Sequence, residues 1–420
     1  MLRRKSNILV MKFGGTSVET PDKIRHAAER VVHARRGGRR IVVVVSAPGR
    51  MTDDLISLAK QIVPQPDQRE LDMLLATGEQ VGIALLTMAI KAKNVDAISL
   101  TGPQAGIAAD DRHTRAHITG IRPNKLLQEL KKGRVVIVAG FQGLNPREDI
   151  ATLGRGGSDL TAVALAAVLK AERCDIFTDV RGIYTADPSL VPEARLLSHI
   201  SYDEMLELAS AGAQVMQPRS IEIAKKFSVP IRVSHALNPK DLGSWITAQG
   251  QEKHSMEEAV VTGVALDRNQ IKVTLRDIPD RPGMAAELFS ALGQAHINVD
   301  MIIQSAAKGN INDISFTISK EDLGPSQKIL ASVQRELRAG SVETDARVAK
   351  ISIVGVGMKK HSGVAGKMFK VLADHRINIQ MIATSEIKIS CIIASDQGKN
   401  ALKLLHQAFG LHRASLNSSV

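Results

Sequence analysis

Aromatic residues are scarce: 8 Phe, 2 Tyr and 1 Trp make up 3% of the 420 residues. Proteins that hold single-stranded nucleic acid stack bases on aromatic rings, and this chain has no such platform. Cysteine is nearly absent as well. Cys174 and Cys391 cannot build a disulfide framework, and neither sits in a Cys/His cluster with zinc spacing. Long apolar runs are missing. In the first third the charge-free apolar run Val81–Ile90 is only ten residues and includes Gly82 and Thr87. A membrane-spanning helix needs about twenty apolar residues, so none is expected. The opening MLRRKSNILVMK has only four consecutive apolar residues before Lys12, fewer than the roughly 7–15 of a secretory signal. Together these absences lead us to expect a soluble, cytoplasmic protein with neither membrane nor nucleic-acid partners.

What is present is ordinary globular material, 44% apolar and 23% charged. At roughly 150 residues per domain the length suggests two or three domains. Net charge is +12, and the first fifty residues carry net +9 of it. The run Arg35-Arg36-Gly37-Gly38-Arg39-Arg40 reads as a solvated helix end and turn; such a basic field also attracts anionic small substrates.

The first half alternates buried strands with helices. Asn7–Phe13, Ile41–Val45 and Val135–Ala139 are short apolar runs that suit strands buried on both faces of a mostly parallel sheet. Asp22–Ala34 and Thr161–Ala171 have helical spacing between them. This alternation predicts a layered α/β domain with helices on both faces. Asn238–Gly250, with Pro239, Gly243 and Gly250, closes it. The remainder contains a repeat of period 80. Gly283, Ala285, Phe289, Leu292, Ile297, Asn298, Met301, Ile302 and Ser305 recur as Gly363, Ala365, Phe369, Leu372, Ile377, Asn378, Met381, Ile382 and Ser385, nine identities in 23 ungapped positions. Each copy predicts strand, glycine turn, helix and strand, with Ala285, Leu288, Phe289, Leu292 and Ala365, Met368, Phe369, Leu372 facing the core. Such a pair serves either as a dimerisation platform or as a ligand site between copies.

Two turns carry the strongest chemistry. Lys12-Phe13-Gly14-Gly15-Thr16-Ser17 follows a buried strand; its glycines let backbone approach an anion, with a lysine beside them. Thr152-Leu153-Gly154-Arg155-Gly156-Gly157-Ser158-Asp159 opens a second helix. Arg155 suits bidentate grip of a carboxylate, and Asp159 is either a partner of Lys12 or magnesium or a helix cap. Ser46-Ala47-Pro48-Gly49 leads to Thr52-Asp53. Thr77-Gly78-Glu79 opens a helical segment, where Glu79 could act as a first-turn acid. Thr178-Asp179-Val180 ends a strand, and Tyr184-Thr185-Ala186-Asp187-Pro188 forms a polar loop. The patterns GxxxxGK[ST], GxGxxG, GxSxG and HExxH do not occur.

KFGGTS, SAPGRMTD, TGE, TLGRGGSD, TDV-x-G and YTADP, in this order, resemble the bacterial aspartate kinases of the amino-acid kinase family. The terminal repeat resembles their paired ACT domains, and the resemblance runs from about Ile8 to Leu411. It implies an αβα-sandwich catalytic domain over residues 1–250, a linker at 251–258, and two ferredoxin-like (βαββαβ) ACT domains at 259–345 and 346–420 whose terminal strands can interleave. It implies transfer of the γ-phosphoryl group of ATP to the side-chain carboxylate of L-aspartate, towards lysine, threonine and methionine. Mg2+ would be held mainly through the ATP phosphates, with no protein metal site. Lys12 and Asp159 would be catalytic. Phe13, Gly14, Gly15, Ser158, Thr178, Asp179, Tyr184, Thr185, Ala186, Asp187, Pro188 and Gln214 would serve ATP, and Ser46 ATP or aspartate. Thr52, Asp53, Glu79, Arg155, Gly156, Gly157 and Ser158 would hold aspartate. Lysine, threonine or both would act as effectors through Asp280, Asn298, Val299, Asp300, Gln304, Asn378, Ile379 and Glu386. The two asparagines also suit a plain helix-to-strand turn. A homodimer or larger homo-oligomer through the ACT domains is expected.

Three departures stand near the phosphates. Gln214 replaces a usual Lys, Ser189 a usual Arg, and Ser234-His235-Ala236 a usual Arg-Ser-Ser. Each lost charged hydrogen bond is worth roughly 1.5–3 kcal/mol, so weaker ATP binding is expected unless Arg219 compensates. A catalytically weak amino-acid-binding regulator is the alternative they motivate; a kinase of another acceptor is a third. Met256 stands where a separately made regulatory subunit would start.

Overall fold

The computed structural model describes residues 7–213, 215–248 and 260–413. Gln214, the expected linker 251–258 and Met256 lie outside the described residues. The chain divides into two compact units. The first is Met1–Ile183 with Leu196–Ala209 and Gln214–Lys253; the second is Tyr184–Arg195, Ser210–Ala213 and His254–Val420.

An eight-stranded sheet organises the first unit. Its centre is Ile8–Phe13, flanked in parallel by Arg40–Val45 and Arg173–Thr178. Val135–Ala139 and Ala97–Leu100 extend it in parallel on one side, and Ile231–His235 on the other. Ser244–Thr247 runs antiparallel beside Ile231–His235, with His199–Ser201 outermost. The three expected strands are present and almost wholly buried, as strands covered on both faces must be. Pro21–Arg36 covers the sheet; Thr20 caps it through Lys23 N–H, and its buried Ile24, Ala27, Ala28, Val31 and Val32 recur at helical spacing. A small second sheet joins Ile118–Ile121, Ile107–Ala109, Gln142–Leu144 and Ile150–Thr152.

The helix Gln68–Lys91 departs from expectation. It has 24 residues and is long and apolar enough to cross a membrane by length and composition, contrary to the expectation of none. Its Ile83, Leu86 and Ile90 are instead buried in the core beneath the sheet. It starts at Asp67, whose carboxylate accepts from the N–H groups of Arg69 and Glu70. Thr77-Gly78-Glu79 is therefore mid-helix, which removes the first-turn reading of Glu79.

The second unit has two four-stranded antiparallel sheets. Ile302–Gln304, Ile311–Ile318, Ile271–Pro279 and Ser341–Asp345 form one; Gly263–Asp267, Val348–Val354, Lys388–Ala394 and Met381–Thr384 form the other. In chain order the first copy reads βαββαβ, with helices Met284–Gln294 and Leu323–Leu337. The second has helices Val364–Asp374 and Gly398–Ala408, and Gly263–Asp267, from before the first copy, fills its remaining strand place. The repeat helices bury Met284, Leu288, Leu292 and Val364, Met368, Leu372. Ala285 is exposed and Ala365 only half-buried. The true stripe begins one residue earlier than expected, because the larger Met284 and Val364 take the core positions.

Candidate active site

Lys12 lies at the carboxyl end of the central strand, where functional loops of open parallel sheets gather. The strand turns at Gly14, whose N–H donates to the carbonyl of Phe177 on the neighbouring strand (3.3 Å). Gly15 could carry no side chain: a Cβ there would lie 2.7 Å from the Ala47 carbonyl oxygen and 3.0 Å from that of Gly49. The two turns are joined by Gly49 N–H to Gly15 O (3.0 Å), and Ser46 N–H donates to Phe13 O (3.2 Å). Phe13 itself stacks on Phe177 in the core, 4.7 Å between ring centres, so it supports the turn from beneath.

Helix Gln68–Lys91 reaches these turns through its glycines. A Cβ on Gly78 would stand 2.9 Å from that of Ala47, and one on Gly82 2.8 Å from the Ser46 carbonyl oxygen. Between them Glu79 is buried, with Oε1 accepting from Ala47 N–H (3.3 Å). Its Oε2 is buried with no hydrogen-bond partner among the described residues. Burial pushes its pKa up to about 7 against hydrogen bonds from the backbone N–H groups of Glu79 itself and Ala47.

The second turn approaches from the other side. Strand Ile150–Thr152 gives way to Gly154 (φ +76°) and Gly156 (φ +69°), a left-handed pair that aims helix Gly157–Val168. Its first turn holds Asp159, and Lys12 Nζ is 2.6 Å from Asp159 Oδ1, both side chains nearly buried. The Asp159–Lys12 reading is thus realised in the geometry. Ser158 is buried against Gly140, where a Cβ would meet its Oγ at 2.6 Å. Arg155 is exposed, with no carboxylate partner among the described residues. Gly157 packs on Leu153 and Phe141. Arg219 does not free its charge for phosphate: it donates to the carbonyls of Leu153 and Ala116, both at 2.9 Å.

Thr52 is half-buried and Asp53 exposed in the first turn of helix Met51–Ile62. Thr178 is half-buried and donates to the exposed Asp179 (3.0 Å). Tyr184, Thr185, Ala186, Asp187 and Pro188 belong to the second unit. Thr185 is fully buried, its Oγ1 accepting from Arg195 N–H (2.9 Å) and lying 3.0 Å from His406 Nε2. Ala186 sits in the core of that unit. The Asp187 carboxylate accepts from the N–H and hydroxyl of Ser189, at 2.8 and 2.7 Å. Sequence reading missed Gly82, Gly140, Asp72 and Gln217, the last with a buried, unpartnered Oε1. The spacing Gly78-x-x-x-Gly82 was the one local signal available. Among the described residues, no group of three or more His, Cys, Asp and Glu is arranged to hold a metal ion.

Residues 7–235 match the amino acid kinase family, and residues 273–333 and 351–409 match the ACT domain. An aspartate kinase of Pseudomonas putida is 48% identical over 96% of this chain and 98% of its own. This chain belongs to the aspartate kinases of the amino acid kinase family. Among solved structures, E. coli aspartokinase III in complex with aspartate and ADP (R-state) is 27% identical, with a TM-score of 0.84 over 96% of this chain and 99% of its own. The same enzyme with lysine and aspartate (T-state) is 26% identical, with a TM-score of 0.70 over 96% and 100%.

In this aspartate kinase the expected effector residues are dispersed over both ACT copies. Asp280 is exposed and accepts from Asn312 Nδ2 (2.9 Å). Asn298 and Asn378 are exposed in equivalent turns, followed by half-buried Val299 and Ile379. Asp300 pairs with the buried Lys350, Gln304 is exposed on an edge strand, and Glu386 pairs with Lys359 at 2.5 Å.

Proposed function

We propose that the protein transfers the γ-phosphoryl group of Mg-ATP to the β-carboxylate of L-aspartate, giving 4-phospho-L-aspartate. The observation that carries this is the Lys12–Asp159 pair between two glycine turns, with an exposed Arg155 that has no carboxylate partner among the described residues and a buried, half-satisfied Glu79. A carboxylate of pKa about 3.9 is already the nucleophile at neutral pH, so no base is needed. The task is to bring two anions together and stabilise charge spread over the transferring group. Lys12 supplies that cation, and Asp159 fixes its ammonium over Gly14. Arg155 suits the α-carboxylate of aspartate and Glu79 its ammonium, with Ser46, Thr52, Gly156, Gly157 and Ser158 around them. Gly15, Thr178 and Asp179 border the nucleotide. Mg2+ would come bound to the ATP phosphates and supply charge shielding there, while the Asp159 carboxylate pairs with Lys12. Lysine, threonine or both act through the ACT copies, which also suit self-association.

Incubation with Mg-ATP, L-aspartate and hydroxylamine should yield aspartyl hydroxamate. Lys12→Ala should lower the rate by about 10²–10³-fold. No hydroxamate from the well-folded wild type would overturn the reading and favour an amino-acid-binding regulator.

A further inference from the structure

Asp72 is fully buried on helix Gln68–Lys91, seven residues before Glu79. That is two helical turns, so both carboxylates face the same way. Three donors from two other segments converge on Asp72. The Thr152 hydroxyl is 2.5 Å from Oδ1, Thr114 N–H is 3.0 Å from Oδ2, and His113 Nδ1 is 2.8 Å from Oδ2. Thr152 ends the strand that leads, three residues later, to Arg155. The Thr114 segment lies against the same turn: Ala116 N–H donates to Thr152 O (2.9 Å), and a Cβ on Gly154 would stand 3.3 Å from Thr114 O. Arg219 ties the same two strands of chain from the opposite helix, through Ala116 O and Leu153 O.

We infer that Asp72 is a positioning residue for the acceptor amino acid, fixing the span between Glu79 and Arg155 by clamping the Glu79 helix to Thr152 and the Thr114 loop. The inference rests on the proposed reading that Glu79 and Arg155 grip the two ends of the aspartate α-amino acid group. Asp72 touches no substrate. A buried carboxylate with three donors is costly to desolvate and has one stable arrangement, which makes it a rigid spacer. The Lys12 strand has anchors of its own in the sheet, pairing with Arg40–Val45 and Arg173–Thr178 and donating Gly14 N–H to Phe177 O. Loosening the clamp should therefore move the aspartate site and leave the nucleotide site in place.

Thr152→Val keeps the shape and deletes one donor; Thr152→Ser keeps the hydroxyl. In steady-state assays of the full chain, Thr152→Val and Asp72→Asn should raise the aspartate KM about fivefold or more with the ATP KM unchanged, since small misplacements are costly in a pre-organised site. Thr152→Ser should restore it. Arg155→Ala is the reference. If Arg155→Ala raises the aspartate KM but Thr152→Val does not, the inference fails. It also fails if Thr152→Val moves both KM values together with the melting temperature, since the clamp is then only structural. If Arg155→Ala leaves the aspartate KM unchanged, the underlying reading of Arg155 falls and the inference with it.

Discussion

Glu79→Gln tests the site through stability and binding at once. Burial raises the Glu79 pKa from 4.5 to about 7. Folding therefore favours the neutral acid. That contribution is complete below pH 4.5 and is lost as pH rises through 7. A shift of this size corresponds to about 3 kcal/mol in full, of which about 1.4 kcal/mol is lost between pH 6 and pH 8.5. Glutamine is neutral throughout and keeps the acceptor for Ala47 N–H. The variant should gain on the wild type by about 1.4 kcal/mol across that range. Trp245 is the chain's one tryptophan and lies in the strand Ser244–Thr247, so urea unfolding followed by its fluorescence reports on the first unit. Binding should move in the opposite sense. A substrate ammonium needs the ionised carboxylate, so the wild-type aspartate KM should rise about tenfold per unit below pH 7 and be flat above it. In Glu79→Gln it should be pH-independent and about 10–100-fold higher, the worth of a charged hydrogen bond. A stability difference that does not change with pH would refute burial as the cause. A flat wild-type KM would refute the ammonium contact.

Gly15→Ala forces a Cβ to within 2.7 Å of the Ala47 carbonyl. Overpacking of this kind costs about 1–3 kcal/mol, so the ATP KM should rise and the melting temperature fall, and an alanine variant with wild-type kinetics would discard the close-approach argument. Asp175 is buried and accepts from both Arg173 and Arg232. Asp175→Asn should destabilise the first unit by about 3–5 kcal/mol in urea unfolding, because it takes the buried carboxylate from Arg232 and leaves Arg173 only Glu172; a loss under about 1 kcal/mol would contradict it. Gln214→Lys restores the cation usual in the family and should lower the ATP KM, and an unchanged KM discards the sequence-based account of that position.

The central strands and both glycine turns were legible because their signals are local. A buried parallel strand is an apolar run, and an anion-binding turn announces itself by glycines beside a lysine or arginine. Helix Gln68–Lys91 was misjudged at its start because Thr77-Gly78-Glu79 read as its opening, whereas Gly78 and Gly82 lie inside it. Tertiary packing overrides their poor propensity: only a glycine lets that helix touch the Ser46–Pro48 turn. In the ACT copies the stripe slipped by one residue because Met284-Ala285 and Val364-Ala365 are both apolar, and periodicity alone cannot choose between neighbours. The Tyr184–Pro188 motif was read as one polar loop. Two of its five residues are buried in the second unit, one held through His406, 221 positions away.

The same contrast explains which parts of the site no sequence pattern reveals. Lys12, Gly14 and Gly15 are adjacent, so their chemistry is written in one hexapeptide. Asp72 meets Thr114 across 42 residues and Thr152 across 80. In the sequence it is one acid among 43, on a helix whose exposed positions would tolerate any of them. Only the fold removes it from water, and removal from water is what makes its three hydrogen bonds obligatory. Groups that touch the reacting atoms are constrained by chemistry at short range and leave motifs. Groups that set the distances between them are constrained by burial and leave none. Glu79 belongs to both classes: its motif was readable, but its pKa of about 7 follows from the burial that the Gly78 and Gly82 contacts impose.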